Sequence, residues 1–243
     1  MTEFLLVLAI ASLAAFLTYL GAPAAERFDI PHRAVAAALQ FAAGIITGLV
    51  ALGLMPPAVR AGSSLAVGVA FFVGGALYVV FEYMSARRLA ARADGDSGVA
   101  SLGLYVGILV DLIIDGVVIG IASTLTLATG LLLALGMAVS TAPLAFVTIA
   151  TAKRQGMASQ RRRQLSWVMP MCLIGGAAVG YLLLRDQPLT VRLTLIAMAS
   201  GFLITTVTQS MIPEANKEGE PSFAGILFLA GLAVFALLSI LIK

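Results

Sequence analysis

Asp111 and Asp115 interrupt an otherwise apolar run over 99–121. An ionised carboxylate near the centre of a bilayer costs roughly 2.5–3.5 kcal/mol on insertion scales. Two carboxylates four residues apart share one helix face, because four residues is close to one helical turn. The pair therefore needs a counter-charge, shared protons or a bound cation, and the chemistry that follows is a cation or proton pathway. A protonated, hydrogen-bonded pair with a structural role is the alternative. A second polar group, Ser140, Thr141 and Pro143, lies in the next apolar run. Pro143 removes a backbone hydrogen bond and frees a carbonyl about one turn earlier, so a cavity there would present hydroxyls beside carbonyls. Ordinary helix packing, in which Ser and Thr are common, accounts for the same residues. Thr205, Thr206, Thr208, Gln209 and Ser210 form a third polar stripe, suited to lining a path or to meeting the interface. Gln40 and Glu82 fall nearer to segment ends, and Glu82 is expected at the interface.

The elements that position these residues are membrane helices. Of 243 residues, 60% are hydrophobic and 11% charged, and the mean hydropathy is +1.04. Soluble domains carry about 25% charged residues. Apolar runs of membrane-spanning length predict eight helices over 4–20, 34–55, 64–84, 99–121, 125–151, 165–184, 193–212 and 223–242, so the fold class is all-α integral membrane and 1–243 is one transmembrane domain. Only Ala122, Ser123 and Thr124 separate the fourth and fifth runs, which predicts a tight antiparallel hairpin. Ala22-Pro23-Ala24 resembles a cleavage site. Yet no Lys or Arg precedes the first run, and that run is longer than a signal-peptide core, so a retained first helix is expected.

Eight spans put both termini on one side. The odd-numbered loops hold Arg27, Arg33, Arg87, Arg88, Arg92, Lys153, Arg154, Arg161, Arg162, Arg163 and Lys217. The even loops and the C-terminus hold only Arg60, Arg185, Arg192 and Lys243. Positive residues concentrate on the cytoplasmic side, which predicts a multi-pass cell-membrane protein with both termini extracytoplasmic. The net charge of +3 is small and its basic residues sit in loops, so no nucleic-acid partner is expected. The basic run at Arg161-Arg162-Arg163 suits topology and contact with anionic lipids. One cysteine, Cys172, excludes a disulfide within the chain. One histidine, His32, in the first loop weighs against a conventional zinc site.

A short internal match points to a transporter plan. Gly44 is followed by Pro56 and Ala58, and Gly201 by Pro213 and Ala215, at the same two offsets. The helices concerned, second and seventh, cross in opposite directions, as in inverted-repeat transporters with a midplane site. No enzyme constellation is present. Intramembrane aspartyl proteases draw their acids from two helices, the upstream part of a lipid-phosphotransferase motif is missing, and no Gly-rich phosphate loop with a Lys precedes a helix. No enzymatic activity and no cofactor are expected.

The chain resembles the ZIP (Zrt/Irt-like) family of metal transporters along nearly its whole length. The resemblance rests on Asp115-Gly116 in the fourth helix, Pro143 in the fifth followed by Thr151-Ala152-Lys153-Arg154-Gln155-Gly156-Met157, and Met211-Ile212-Pro213-Glu214-Ala215 after the seventh. It implies a ZIP-like bundle with an inverted repeat, alternating access, a homodimer among membrane lipids, and transport of a metal cation. Where the family has His-Asn-x-x-Asp/Glu-Gly, this chain has Asp111-Leu112-Ile113-Ile114-Asp115-Gly116. Where the family has His-Glu/Asn-x-Pro-Glu, it has Ser140-Thr141-Ala142-Pro143-Leu144. Met169-Pro170 stands for Glu-Pro, and Gln209-Ser210 for Asp-Glu. The resemblance is thus to a divergent member with a degenerate metal site: Asp115 is retained, Asp111 stands as a substitute and both helix-five ligands are lost, so the metal set expected here is Asp111, Asp115 and Ser140, with Thr141, Pro143 and Gln209 lining the pathway. Such an oxygen-only set favours hard divalent cations such as Mg²⁺, Mn²⁺ or Ca²⁺ over zinc. Two alternatives stay open: a non-transporting protein that keeps the fold, and a transporter of protons or another cation.

Overall fold

The computed structural model describes residues 2–28, 31–61, 64–92, 97–216 and 223–241. Among these, all regular structure is helical: α1 (Thr2–Arg27), α2 (His32–Gly48), α3 (Met55–Ala61), α4 (Ser64–Arg92), α5 (Ser97–Ser123), α6 (Leu127–Arg154), α7 (Ser159–Leu184), α8 (Leu189–Thr206), α9 (Ile212–Ala215) and α10 (Ala224–Leu241). A π-helical segment, Leu49–Leu54, fuses α2 to α3, and a second, Val207–Met211, fuses α8 to α9. Among the described residues eight spans result, each long and apolar enough to cross a membrane. The chain therefore has the architecture of a multi-pass membrane protein. Lys217 and Lys243, two of the residues used for orientation, lie outside the described residues.

The helices overrun the apolar runs. α1 continues through Pro23 to Arg27, α4 passes Met84 to reach Arg92, and α6 ends at Arg154. Hydropathy marks only the part that prefers lipid, whereas a helix satisfies its own N–H and C=O groups and can continue into water. The hairpin turn falls at Thr124–Thr126 rather than at 122–124. Ser123 stays helical, its hydroxyl donating to the Ile119 carbonyl at 2.8 Å. Thr126 caps α6, accepting from the Thr129 amide at 3.0 Å.

Both π segments have a local cause. Pro56 and Pro213 each follow one closely. A proline ring inside an α-helix clashes with the carbonyl four residues back and brings no N–H. Widening the preceding turn relieves that clash. Met55 N–H reaches the Val50 carbonyl and Ile212 N–H reaches Val207, the five-residue spacing of a π turn. The second span accordingly runs on to Ala61 past its Pro-Pro pair, where the sequence marked an end.

The strongest helix pairings are α5 with α7, α1 with α6, α4 with α8, and α2 with α10. Lipid supplies no hydrophobic drive between helices, so close backbone approach through small residues does the packing. A Cβ on Gly44 would overlap the Phe228 carbonyl, and one on Gly231 the Phe41 carbonyl. In the α4–α8 pair, a Cβ on Gly201 would overlap the Phe71 carbonyl, and one on Gly74 the Met198 carbonyl. These contacts recur at one separation: Phe41 to Met198, Gly44 to Gly201, Phe71 to Phe228 and Gly74 to Gly231 are each 157 positions apart. The starts of α2 and α8 show the same separation (His32 to Leu189).

α4 and α10 are peripheral and carry exposed apolar residues such as Leu65, Phe72, Ile226 and Leu229, whereas α6 is largely buried. At one end, Glu26 of α1 accepts Nε and Nη2 of Arg162 at 2.5 and 3.0 Å. Arg162 also donates to the Met157 carbonyl. This fork joins α1, α7 and the α6–α7 turn. The Gln40 amide donates to the Asn216 side chain at 3.0 Å, joining the second span to the end of the seventh.

Candidate cation site in the membrane

The acid pair lies in the middle of α5, between the buried Tyr105 and the hairpin. Helical periodicity turns Asp111 and Asp115 inward, while Ile113 is exposed. Asp115 is 4% exposed. Asp111 is half-buried as a residue, yet its Oδ1 is buried and has no hydrogen-bond partner among the described residues. The two carboxylates act electrostatically on one another. A buried carboxylate oxygen without a donor is costly, and a cation or a proton is what such an oxygen accepts.

Ser140 and Thr141 are both buried in α6. Their hydroxyls donate to the same carbonyl, that of Met137, at 2.8 and 2.9 Å. Thr141 also shares a 2.6 Å hydrogen bond with Thr18 of α1. Thr141 therefore faces α1. Ser140 keeps only its lone pairs for a ligand. Pro143 sits half-buried within α6 without ending it. Gln209 and Thr208 are exposed in the π segment, and Ser210 is half-buried. Among the described residues no three or more His, Cys, Asp or Glu side chains come together as a metal-binding group.

The structure buries a tyrosine that the sequence did not single out. Tyr78 of α4 is 8% exposed, with its ring edge-on to Phe202 of α8 at 5.0 Å between centroids. Thr206, 5% exposed, donates to the Phe202 carbonyl at 3.1 Å, which leaves its lone pairs free to accept. The α4–α8 crossing through Gly74 and Gly201 brings Tyr78 here. The only sequence trace was the four-residue spacing of Tyr78 and Glu82. The sequence matches no protein-family model and no curated protein.

Proposed function

We propose that this chain is a ZIP-like transporter that carries a hard divalent cation by alternating access, with Asp111 and Asp115 holding the cation near the midplane. The observation that carries the reading is the buried Oδ1 of Asp111, without a partner among the described residues, beside the buried Asp115 inside a membrane-length helix. Carboxylate and hydroxyl oxygens without nitrogen or sulfur suit Mg²⁺, Mn²⁺ or Ca²⁺. The inverted-repeat plan is part of the proposal. It is supported by the recurring separation of 157 positions, an odd number of spans apart, and by the paired π segments. The repeat would relate spans one to three to spans six to eight, with α5 and α6 between them.

Both termini are placed outside on the charge asymmetry of the loops. A cysteine introduced at Gln155, in a Cys172→Ser background, should react with an impermeant thiol reagent from the cytoplasmic face. Reaction from the outer face only reverses the orientation.

One observation favours the non-transporting reading: the Ser140 and Thr141 hydroxyls are turned to the Met137 carbonyl, as in simple helix packing. Purified protein in liposomes decides. Mn²⁺ uptake above that of empty vesicles is the expected result. Proton flux indifferent to Mn²⁺ selects a proton pathway, and no flux of either kind selects the non-transporting protein.

A further inference from the structure

The hairpin end of the bundle holds a cavity of about 160 Å³, walled by the start of α1, the α5–α6 turn and the end of α7. At about 30 Å³ for each water in the liquid, that is room for about five waters, or for a ligand of about as many non-hydrogen atoms. One wall carries an acid, Glu3, and another a guanidinium, Arg185. Among the described residues each has a partner other than its opposite charge. Tyr181, 6% exposed, donates its hydroxyl to Oε2 of Glu3 at 3.2 Å. Phe4 packs on the Tyr181 ring, centroids 5.9 Å apart, and keeps it at the start of α1. Arg185 gives its Nε to Asp186 at 3.1 Å. Glu3 Oε1 and the Arg185 Nη atoms remain for a ligand.

The turn between these walls adds acceptors. Ser123 donates its hydroxyl to the Ile119 carbonyl at 2.8 Å, and Thr124 to the Ile121 carbonyl at 2.6 Å. With those protons spent, both hydroxyl oxygens offer only lone pairs. A Cβ on Gly130 would overlap Ser123 Oγ, so the glycine gives that side chain its place. Arg192, at the start of α8, holds the turn by donating to the Thr124 carbonyl at 2.7 Å. Leu125 and Leu127 contribute carbon to the lining.

We infer that this cavity binds a small zwitterion, a primary ammonium joined to an oxyanion, with the ammonium toward Glu3 and the oxyanion toward Arg185. The inference goes beyond the transport reading and does not rest on it. A primary ammonium has three donors, and Glu3 Oε1, Ser123 Oγ and Thr124 Oγ1 are acceptors for them. A guanidinium held at Nε still presents its Nη groups to an oxyanion. A bare cation would meet the like charge of Arg185, and a bare anion that of Glu3, within one small space. A ligand that carries both charges avoids both repulsions. The leucines suit a short apolar side chain. Two sources have this chemistry: a free α-amino acid such as alanine, and the phosphoethanolamine headgroup of a lipid, which lies at the level of helix ends. On the orientation proposed above, the cavity opens at the outer face.

The purified full chain in phosphatidylcholine nanodiscs, whose quaternary headgroup has no ammonium donors, is titrated with L-alanine by calorimetry. Thermal unfolding of the same chain in phosphatidylcholine and phosphatidylethanolamine nanodiscs tests the headgroup. Saturable alanine binding assigns the free amino acid. A higher unfolding temperature in phosphatidylethanolamine without alanine binding assigns the headgroup. Glu3→Gln and Arg185→Gln should each weaken alanine binding about tenfold or more, the scale for losing a hydrogen bond to a charged group, and should abolish a headgroup shift. Arg185→Lys keeps the charge without the fork and should lose less than Arg185→Gln. Glu3 and Arg185 are exposed, so the variants should unfold near the wild-type temperature in phosphatidylcholine. Asp111→Asn should bind alanine as the wild type does. Loss of alanine binding in Asp111→Asn alone places the probe at the acid pair and overturns the cavity site. Neither signal in the wild type, acetate or ethylammonium binding as tightly as alanine, or a signal that both charge variants retain also overturns it. Mn²⁺ uptake, measured separately, decides the transport reading whichever way these results fall.

Discussion

Asp115→Asn is expected to lower Mn²⁺ uptake by about 100-fold or more, the upper end of the scale for disturbing a metal site, while the chain still purifies as an eight-span protein. The side chain keeps its volume and loses its charge. Asp115 is 4% exposed and its electrostatic partner is Asp111, so the substitution halves the negative charge available to a divalent cation. The loss of repulsion within the pair leaves the fold undisturbed. Proton release supplies a second readout. A cation and a proton compete for the same carboxylate oxygens, so binding of Mn²⁺ displaces protons and tightens as pH rises. Two carboxylates one helical turn apart are expected to exchange protons as a pair rather than independently. Asp115→Asn should therefore diminish proton release on Mn²⁺ addition together with the uptake. Wild-type uptake and unchanged proton release in this variant would make the pair structural and favour the non-transporting reading.

How far the sequence carries depends on whether a feature is local. The spans follow from apolar length alone, and the acid pair stands out because charge inside such a run is costly. Both prolines that widen the second and seventh spans are visible, but their consequence is a π turn and a continued helix rather than the end of one. The helix ends at Arg27 and Arg92 lie beyond the apolar runs because intrahelical hydrogen bonds outlast the lipid. Ser140 and Thr141 were readable as polar, yet a hydroxyl in a helix reaches the carbonyl three or four residues back, and both bond to Met137. The burial of Tyr78 against Phe202 is not readable in the sequence. A tyrosine in an apolar run reads as an interface anchor, and its neighbours are fixed by the α4–α8 crossing, more than a hundred residues apart in sequence. Gln40 likewise acquires meaning only from Asn216.

Phe235 and Phe72 should respond unequally to truncation, although both sit in apolar helices at the periphery of the bundle. Phe235 is 0% exposed and its ring fills the space around Gly48, Gly53 and Gly136. Phe72 is 75% exposed and faces outward from α4. In lipid, a side chain that leaves protein contact meets carbon again, so burial itself contributes little and packing contributes most. Phe72→Ala exchanges protein carbon for lipid carbon and should change stability by less than about 0.5 kcal/mol. Phe235→Ala removes a ring from a place where glycines on two facing helices cannot reach across to refill it. The residual cavity should cost about 3 kcal/mol, the lower end for Phe→Ala in packed interiors. The gap left by the ring joins α2, α6 and α10, so the loss should appear in global unfolding rather than as fraying of one end. Unfolding of each variant in mixed micelles by a denaturing detergent measures both values. Equal stabilities for the two variants would mean that Phe235 is not the plug between these helices, and that its half of the bundle has another packing.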